Sequence, residues 1–509
     1  MNNKIEASER PKEATAASEM SKSETGLFEH EEFFHAPNGD SYASVKFKGH
    51  VETWPIASAD FKRLIEYQYF VTYKMPIEKK ELKELIALVD AKARFEGPQR
   101  KVFTRIGCGD DGSIVIDLAN PNWQAVVVTK QDWLVVDRSP VPLIRKQGMM
   151  PLPVPERGGD ISLLDEHLNL AGSEDRILFL SMLLGSFHPN GPFPIVLIAG
   201  EQGSGKSTLC RIARALVDPS EAPVTTLPRD ERNLHIAASK SWMQVYDNVS
   251  KIKPDFSDSL CRLATGAGLR RRKLTTDDVE MIFSSCRPVI LNSIIQGLIE
   301  ANDLADRALI VRTKSLGDAS KTAEESLNCK FEKNKPLIFG ALLTGVSVAL
   351  KNLPDVSTSG LPRMADFARW CIAGETGLGL ELGSFMRAYE ANRTLITGSA
   401  VDASPIHEPI LNTVRETGYW KGDVKSLYGE LLRRRSFDGD TWPKNHRALR
   451  AELDRIIPGL RREGIGIKFL GRDGYTRRSV LEIRVVNNNI VDAAHEPVRN
   501  EGAVSNLVI

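Results

Sequence analysis

Short apolar runs alternate with helical periodicity through the middle of the chain. Ile195–Ala199, Val245-Tyr246 (closing Trp242–Tyr246), Pro288–Leu291 and Ala308–Val311 read as strands buried on both faces. Amphipathic stretches separate them, at Asp175–Leu184 and Lys206–Val217. Alternation of this kind predicts an α/β fold with a parallel sheet. Before it, Val102–Ile106, Ser113–Leu118 and Ala125–Val128 read as short strands, with a charged helix over Ile77–Phe95. These predict a small N-terminal α+β domain. After the sheet, Lys333–Leu350 and Pro362–Asn392 are helical in period. Trp442–Val486 reads helix, helix, then a strand pair about Gly471–Gly474, the order expected of a winged helix.

Composition divides the rest. The 509 residues suggest about three domains. The expected divisions are a disordered tail (1–40), a small α+β domain (41–145), a Pro-rich linker (146–160) and the parallel-sheet core (161–350). A helical region (351–435), a winged-helix-like domain (436–487) and a flexible tail (488–509) follow. The linker expectation rests on Met149-Met150-Pro151-Leu152-Pro153-Val154-Pro155. Six dispersed cysteines without a Cys-x-x-Cys pair argue against a disulfide framework or a zinc site. No apolar run approaches the roughly 20 residues a membrane helix needs, and the start of the chain lacks the apolar core of a signal peptide. A cytoplasmic protein without a membrane partner is expected.

The chemistry begins at Gly200-Glu201-Gln202-Gly203-Ser204-Gly205-Lys206-Ser207-Thr208, between a strand and a helix. The glycines let backbone N–H groups turn onto phosphates, and the helix N-terminus adds its dipole. Lys206 supplies a point charge to the β and γ phosphates of ATP, and Ser207 a hydroxyl to Mg²⁺. Asp247, after the strand that ends at Tyr246, is the expected second metal-side group. Asn248 stands where many such ATPases carry the Glu that polarises water, and an amide cannot accept a proton. Asp230 and Glu231 are alternative bases that the sequence does not rank. Asn292 ends the next buried strand and could reach the γ-phosphate or the attacking water. Arg307 is a candidate arginine finger acting on a neighbouring subunit's ATP, with Arg312 as the fallback. Asp110, Asp111 and Asp117 read as turn and strand-end acids, so no polymerase site is expected.

In order and spacing these motifs resemble the superfamily III helicase branch of the AAA+ ATPases, as in phage and plasmid primase-helicases and the related poxvirus NTPases. Lys206-Ser207, Asp247, the stretch Leu263–Leu274, Arg287–Asn292 and Asp306-Arg307 carry the likeness, well over 140–350 and loosely beyond. The resemblance implies a P-loop core and a ring, expected to be a homo-hexamer, that hydrolyses ATP with Mg²⁺ on DNA. It further implies that Arg270, Arg271, Arg272 and Lys273 lie on a hairpin in the central channel, where they would track phosphates. Asp277 and Asp278 could instead balance those charges in a solvated loop.

Net charge is only +1, yet Arg433–Arg484 holds 14 Lys or Arg against 7 Asp or Glu. Lys444, Arg447, Arg450, Arg472, Arg477 and Arg478 are therefore candidate DNA-backbone contacts. The expected function is an ATP-dependent helicase or translocase working on single-stranded or forked DNA in phage, plasmid or mobile-element replication. The alternative is a regulatory or defence-type ATPase switch that binds nucleic acid without unwinding.

Overall fold

The computed structural model describes residues 32–266, 269–272, 280–283, 285–294, 302–315, 324–402, 404–434, 442–472 and 479–486. They form two units, one from residues 1–298 and 306–392, the other from 299–305 and 393–509.

The first unit opens with an antiparallel sheet of Glu32–His35 (β1), Ser41–Phe47 (β2) and His50–Pro55 (β3). Ala59–Tyr73 (α1) and Lys79–Phe95 (α2) cover it through Phe61, Ile65, Leu85, Val89 and Ala93. Ser58 caps α1, its hydroxyl accepting from the Phe61 amide at 3.1 Å. A second antiparallel sheet follows: Ile106–Cys108 (β4), Ile114–Asp117 (β5), Ala125–Val128 (β6) and Trp133–Val136 (β7). The strand expected over Val102–Ile106 starts only at its last residue. Arg105 sits at φ 65, and a left-handed residue ends extended pairing.

The parallel sheet stands on Ser173–Gly185 (α3), Ile195–Ala199 (β8), Lys206–Val217 (α4), Glu231–Lys240 (α5) and Gln244–Tyr246 (β9). Pro254–Thr265 (α6), the hairpin Leu269–Arg272 (β10) and Glu280–Phe283 (β11), and Val289–Ser293 (β12) come next. Asn302–Asp306 (α7) and Ala308–Arg312 (β13) complete the set. Strand order is β13-β8-β12-β9, every pairing parallel, so all four C-terminal ends lie on one edge. Crossover helices bury both faces, which is why the strand interiors are apolar, with polar residues such as Gln244, Asn292 and Arg312 at or near strand ends.

Glu324–Asn352 (α8), Ala365–Gly374 (α9) and Ser384–Asp402 (α10) are the helices after the sheet. By length and composition α8 overlaps the one stretch among the described residues, Ser326–Asp355, that could cross a membrane, which the sequence had not led us to expect. Its Ile338, Phe339, Leu342, Leu343 and Val346 are fully buried in the main core.

Two expected boundaries move. The tail was to run to residue 40, yet β1 pairs with β2 from Glu32 to His35. The linker at 146–160 is a strap on the core. Leu152 is 3% exposed and donates its amide to Leu118 O at 2.9 Å, and the Glu156 amide donates to Pro336 O at 3.0 Å. The sheet β4–β7 also shares the main core, through Ile106, Ile116, Val126 and Trp133.

The second unit has its own core of Ile410, Leu427, Leu431, Leu453, Ile467 and Ile483, among others. Its order is His407–Thr417 (α11), Tyr419–Asp423 (β14), Val424–Arg433 (α12), His446–Arg462 (α13), Ile465–Arg472 (β15) and Ser479–Val485 (β16). The antiparallel sheet runs β14-β16-β15. The expected start at residue 436 therefore missed α11, β14 and α12. Tyr-Trp-Lys-Gly-Asp is a half-exposed edge strand without alternation, so it gives no strand signal. Of the two helices expected ahead of the strand pair in Trp442–Val486, the described residues form one, α13, which runs unbroken through Pro458 and Gly459.

The strap fixes two glycines. A β-carbon at Gly340 would meet Glu156 O at 1.9 Å, and one at Gly159 would meet Leu337 O at 2.1 Å. Gly340→Ala should therefore cost about 1–3 kcal/mol, as overpacking does. Urea unfolding of the full chain checks this, and an unchanged midpoint would mean the strap does not seat on α8.

Candidate functional site

Strand β8 ends at Ala199, and seven residues later α4 begins at Lys206. Between them Gly203 (φ 80) and Gly205 (φ 81) are left-handed. Gly200 is fixed by space, because a β-carbon there would lie 1.9 Å from Thr313 Oγ1. The loop is buttressed from the far end of β13. Ser204 Oγ and Thr313 Oγ1 are 2.6 Å apart, and Ser315 Oγ donates to Glu201 Oε2 at 2.8 Å. Asn169 Nδ2 donates to Ser204 O at 3.0 Å and to Lys314 O at 2.6 Å. The sequence pointed to neither Asn169 nor Thr313, since each acts across more than 30 residues of chain. Gln202 is exposed, and Thr208 is half-buried in the first turn of α4.

Lys206 is 7% exposed and turns back on the loop, Nζ donating to Gly200 O at 2.9 Å and Glu201 O at 2.5 Å. Burial lowers its pKa from the usual lysine value, with Asp247 opposing. Ser207 Oγ lies 3.2 Å from both carboxylate oxygens of Asp247. Asn292, 2% exposed, donates from Nδ2 to Ser207 Oγ at 3.1 Å and also to Asp247 Oδ1. Register explains the meeting: Leu291 stands opposite Tyr246, and Asn292 opposite Ile198. Three neighbouring strands thus deliver Asp247, Asn292 and the loop to one edge. The arrangement offers a cation, a row of helix N-terminal amides, and hard oxygen donors in Ser207 and Asp247 that suit Mg²⁺. Among the described residues no group of three His, Cys, Asp or Glu could hold a metal, so an ion here would complete its shell with phosphate and water.

Asn248 sits at φ 52 and is exposed. The amides on either side are tied down, Asp247 N to Thr225 O and Val249 N to Asn292 O, both at 2.9 Å. The backbone is therefore held left-handed, a conformation Asn adopts at lower cost than β-branched side chains do. Asp230 caps α5 by accepting from the Asn233 amide at 2.9 Å, and Glu231 pairs with Arg262 at 2.5 Å.

Arg307 is not near the loop of its own chain. Its carbonyl accepts from Ile195 N at 2.9 Å, at the opposite end of the sheet. Five strand residues separate the two ends, roughly 16 Å. Arg312, the fallback, is paired with Asp175, 1% exposed, which accepts from its amide at 2.8 Å and from Nη2 at 3.0 Å.

Arg270, Arg271 and Arg272 lie on β10, which pairs antiparallel with β11. Lys273, Asp277, Asp278, Arg477 and Arg478 lie outside the described residues, and Arg472 ends β15. Lys444 and Arg447 are exposed at the start of α13. Arg450 is committed within its unit, 3.2 Å over the Phe469 ring and 2.9 Å from Asp454. Asp111 accepts from the Ser113 amide at 2.9 Å, and Asp117 pairs with Arg145 at 2.9 Å, the turn and strand-end duties expected.

Residues 161–397 match the family model described as actinomycete integrative conjugative element replication protein, and residues 406–496 match that of the AICE RepA C-terminal domain. The chain thus carries the sequence signature of a replication-associated protein of a mobile element. No curated protein matches it. Among solved structures it is similar to the apo NrS-1 C terminal region, at 12% identity and TM-score 0.39 over 90% of this chain and 98% of that one. It is also similar to JCV helicase, at 15% identity and TM-score 0.22 over 46% of this chain and 64% of that one. Likenesses this low carry no argument for function.

The turn at Asn248 yields a test. Asn248→Gly should keep stability, whereas Asn248→Val should lose about 1–2 kcal/mol, the cost of a β-branched residue in the left-handed region. Chemical denaturation measures both, and equal stabilities would remove the backbone reason for Asn.

Proposed function

We propose that the chain is an ATP-dependent DNA helicase or translocase of mobile-element replication, with Gly200–Thr208 as its P-loop. The observation that supports this best is the meeting of Lys206, Ser207, Asp247 and Asn292 on one sheet edge. Backbone N–H groups of the loop would cradle the phosphates of ATP. Lys206 would exchange its two loop carbonyls for phosphate oxygens. That exchange favours a multiply charged ligand, since the ammonium is already desolvated. Ser207 and Asp247 would hold Mg²⁺, which supplies charge neutralisation on the transferred phosphoryl group. Asn292 holds both in register and could orient the attacking water.

Arg307 acts in trans on this reading, because its own chain's loop is a sheet-length away. That requirement makes a closed ring, a homo-hexamer, the natural assembly. Arg270–Lys273 would follow a single strand, and Lys444, Arg447, Arg472, Arg477 and Arg478 a forked duplex. In the second unit, helix, strand, helix, helix and a strand pair follow one another, an order that supports a winged-helix reading. Asn248 favours a second reading, in which ATP binding switches assembly and turnover is slow, because an amide at this position cannot accept a proton from water.

Lys206→Ala should abolish ATP turnover. Arg307→Ala should lower it at least a hundredfold, consistent with an arginine finger, while leaving ATP binding within about threefold. Mixing the two variants should restore part of the activity, since each supplies what the other lacks. Phosphate release and calorimetry read these, and an Arg307→Ala protein with full turnover would remove the trans assignment.

A further inference from the structure

Helix α1 buries one face on the β1–β3 sheet through Phe61 and Ile65, then runs on past its support. From Glu66 to Pro76 no residue is buried. The stretch is nonetheless apolar: Tyr67 and Phe70 are each 52% exposed, Met75 55%, Val71 44% and Tyr73 38%. Nine residues, roughly two and a half turns, put Phe70 on the face opposite Phe61. A surface helix keeps that face polar, and one that is apolar on both faces belongs inside an assembly. The exposed turns are held in shape. The Lys74 amide donates to Phe70 O at 2.9 Å, Tyr67 meets the Phe47 ring edge-on at 6.0 Å, and the Tyr69 hydroxyl donates to Glu81 at 3.3 Å.

Charge decides the occupant. A phosphate track or an anionic lipid surface needs a row of cations, and Lys74 is the one charge from Tyr67 to Ile77. Aromatic and Met side chains with few charges at the centre are instead the composition of a protein interface. The patch also complements itself. Residues 66, 70 and 74 share one helix stripe, so Glu66 and Lys74 flank Phe70 at equal spacing with opposite sign. Two copies laid antiparallel about Phe70 bring each Glu66 opposite the other copy's Lys74, and each Tyr67 opposite the other's Tyr73. The area suffices as well. At about half exposure, five apolar side chains of this size present roughly 400–500 Å². A standard interface takes about 800 Å² from each partner, a little over half of it apolar.

We propose that the outward face of α1, centred on Phe70, is a self-association surface on which a second copy of this chain docks antiparallel across a two-fold axis. A patch that meets itself across such an axis closes on a pair. It is therefore separate from the contact that would bring Arg307 to a neighbour's ATP, and it goes beyond the motor function proposed above.

The test is sedimentation of the full chain without ATP, from about 0.1 to 20 µM. Wild type should pair within that range. Phe70→Asp should weaken pairing at least a hundredfold, as loss of a central anchor does. Its thermal midpoint should stay unchanged, because Phe70 lies outside the core under α1. Glu66→Lys and Lys74→Glu should each weaken pairing about tenfold, through like charges brought face to face. The double variant carrying both changes should recover it, which a general loss of structure or solubility would not do. A wild-type chain that stays monomeric throughout would overturn the proposal. So would association that Phe70→Asp leaves unchanged, or a double variant no better than the single ones. Loss of single-stranded DNA binding by Phe70→Asp, read by anisotropy with the mass distribution unaltered, would overturn it too and give the face to nucleic acid. Pairing that follows the charge swap in a chain without ATP turnover would uphold this contact and refute the motor reading alone.

Discussion

Asp218 holds the first unit together. It closes α4, and its carboxylate accepts from Arg105 Nε at 2.9 Å, Arg214 Nη1 at 3.1 Å, Ser241 Oγ at 2.8 Å and the Met243 amide at 3.0 Å. Burial alone would raise its pKa, but the two guanidiniums outweigh that and hold the carboxyl below its ordinary range. Arg105 is fully buried and donates onward to Asp117 O, Met150 O and Pro219 O. One carboxylate therefore ties the β4–β7 sheet, the strap, the end of α4 and the start of β9. Removing one partner of such a buried cluster leaves an uncompensated charge, typically a loss of 3–5 kcal/mol. The tie has a functional side. The element that begins at Lys206 ends at this clamp, and the strand that leads to Asp247 begins beside it.

Fixing both ends lets the sheet edge act as one piece. Ser207, Asp247 and Asn292 come from three elements, yet their polar atoms lie within about one hydrogen-bond length of each other. That closeness is what a small hard cation and a phosphate would need, because preorganised donors need not move during reaction. Thr313 and Asn169 hold the loop from behind.

Much of this was legible in the chain. The four parallel strands were readable because burial on both faces leaves unbroken apolar runs. The loop was readable because glycine at a left-handed position and Lys-Ser at a helix start are local requirements. Other parts were not legible, for one physical reason. Arg105, Asn169, Asp175 and Thr313 act through contacts far along the chain that leave no local pattern. Arg312 looked free in sequence and is held by Asp175, and the Pro-rich strap looked like a linker because its partners lie on α8. Asn248 looked like a missing catalytic base. Its positive φ gives the turn its own reason for that residue.

Strand separation on a forked DNA substrate, followed together with ATP turnover by the same protein, tests the central claim most directly. The account predicts ATP-dependent separation that requires Mg²⁺ and rises with DNA-stimulated hydrolysis. Hydrolysis stimulated by DNA with the fork left intact at every protein concentration would contradict the motor and leave the switch.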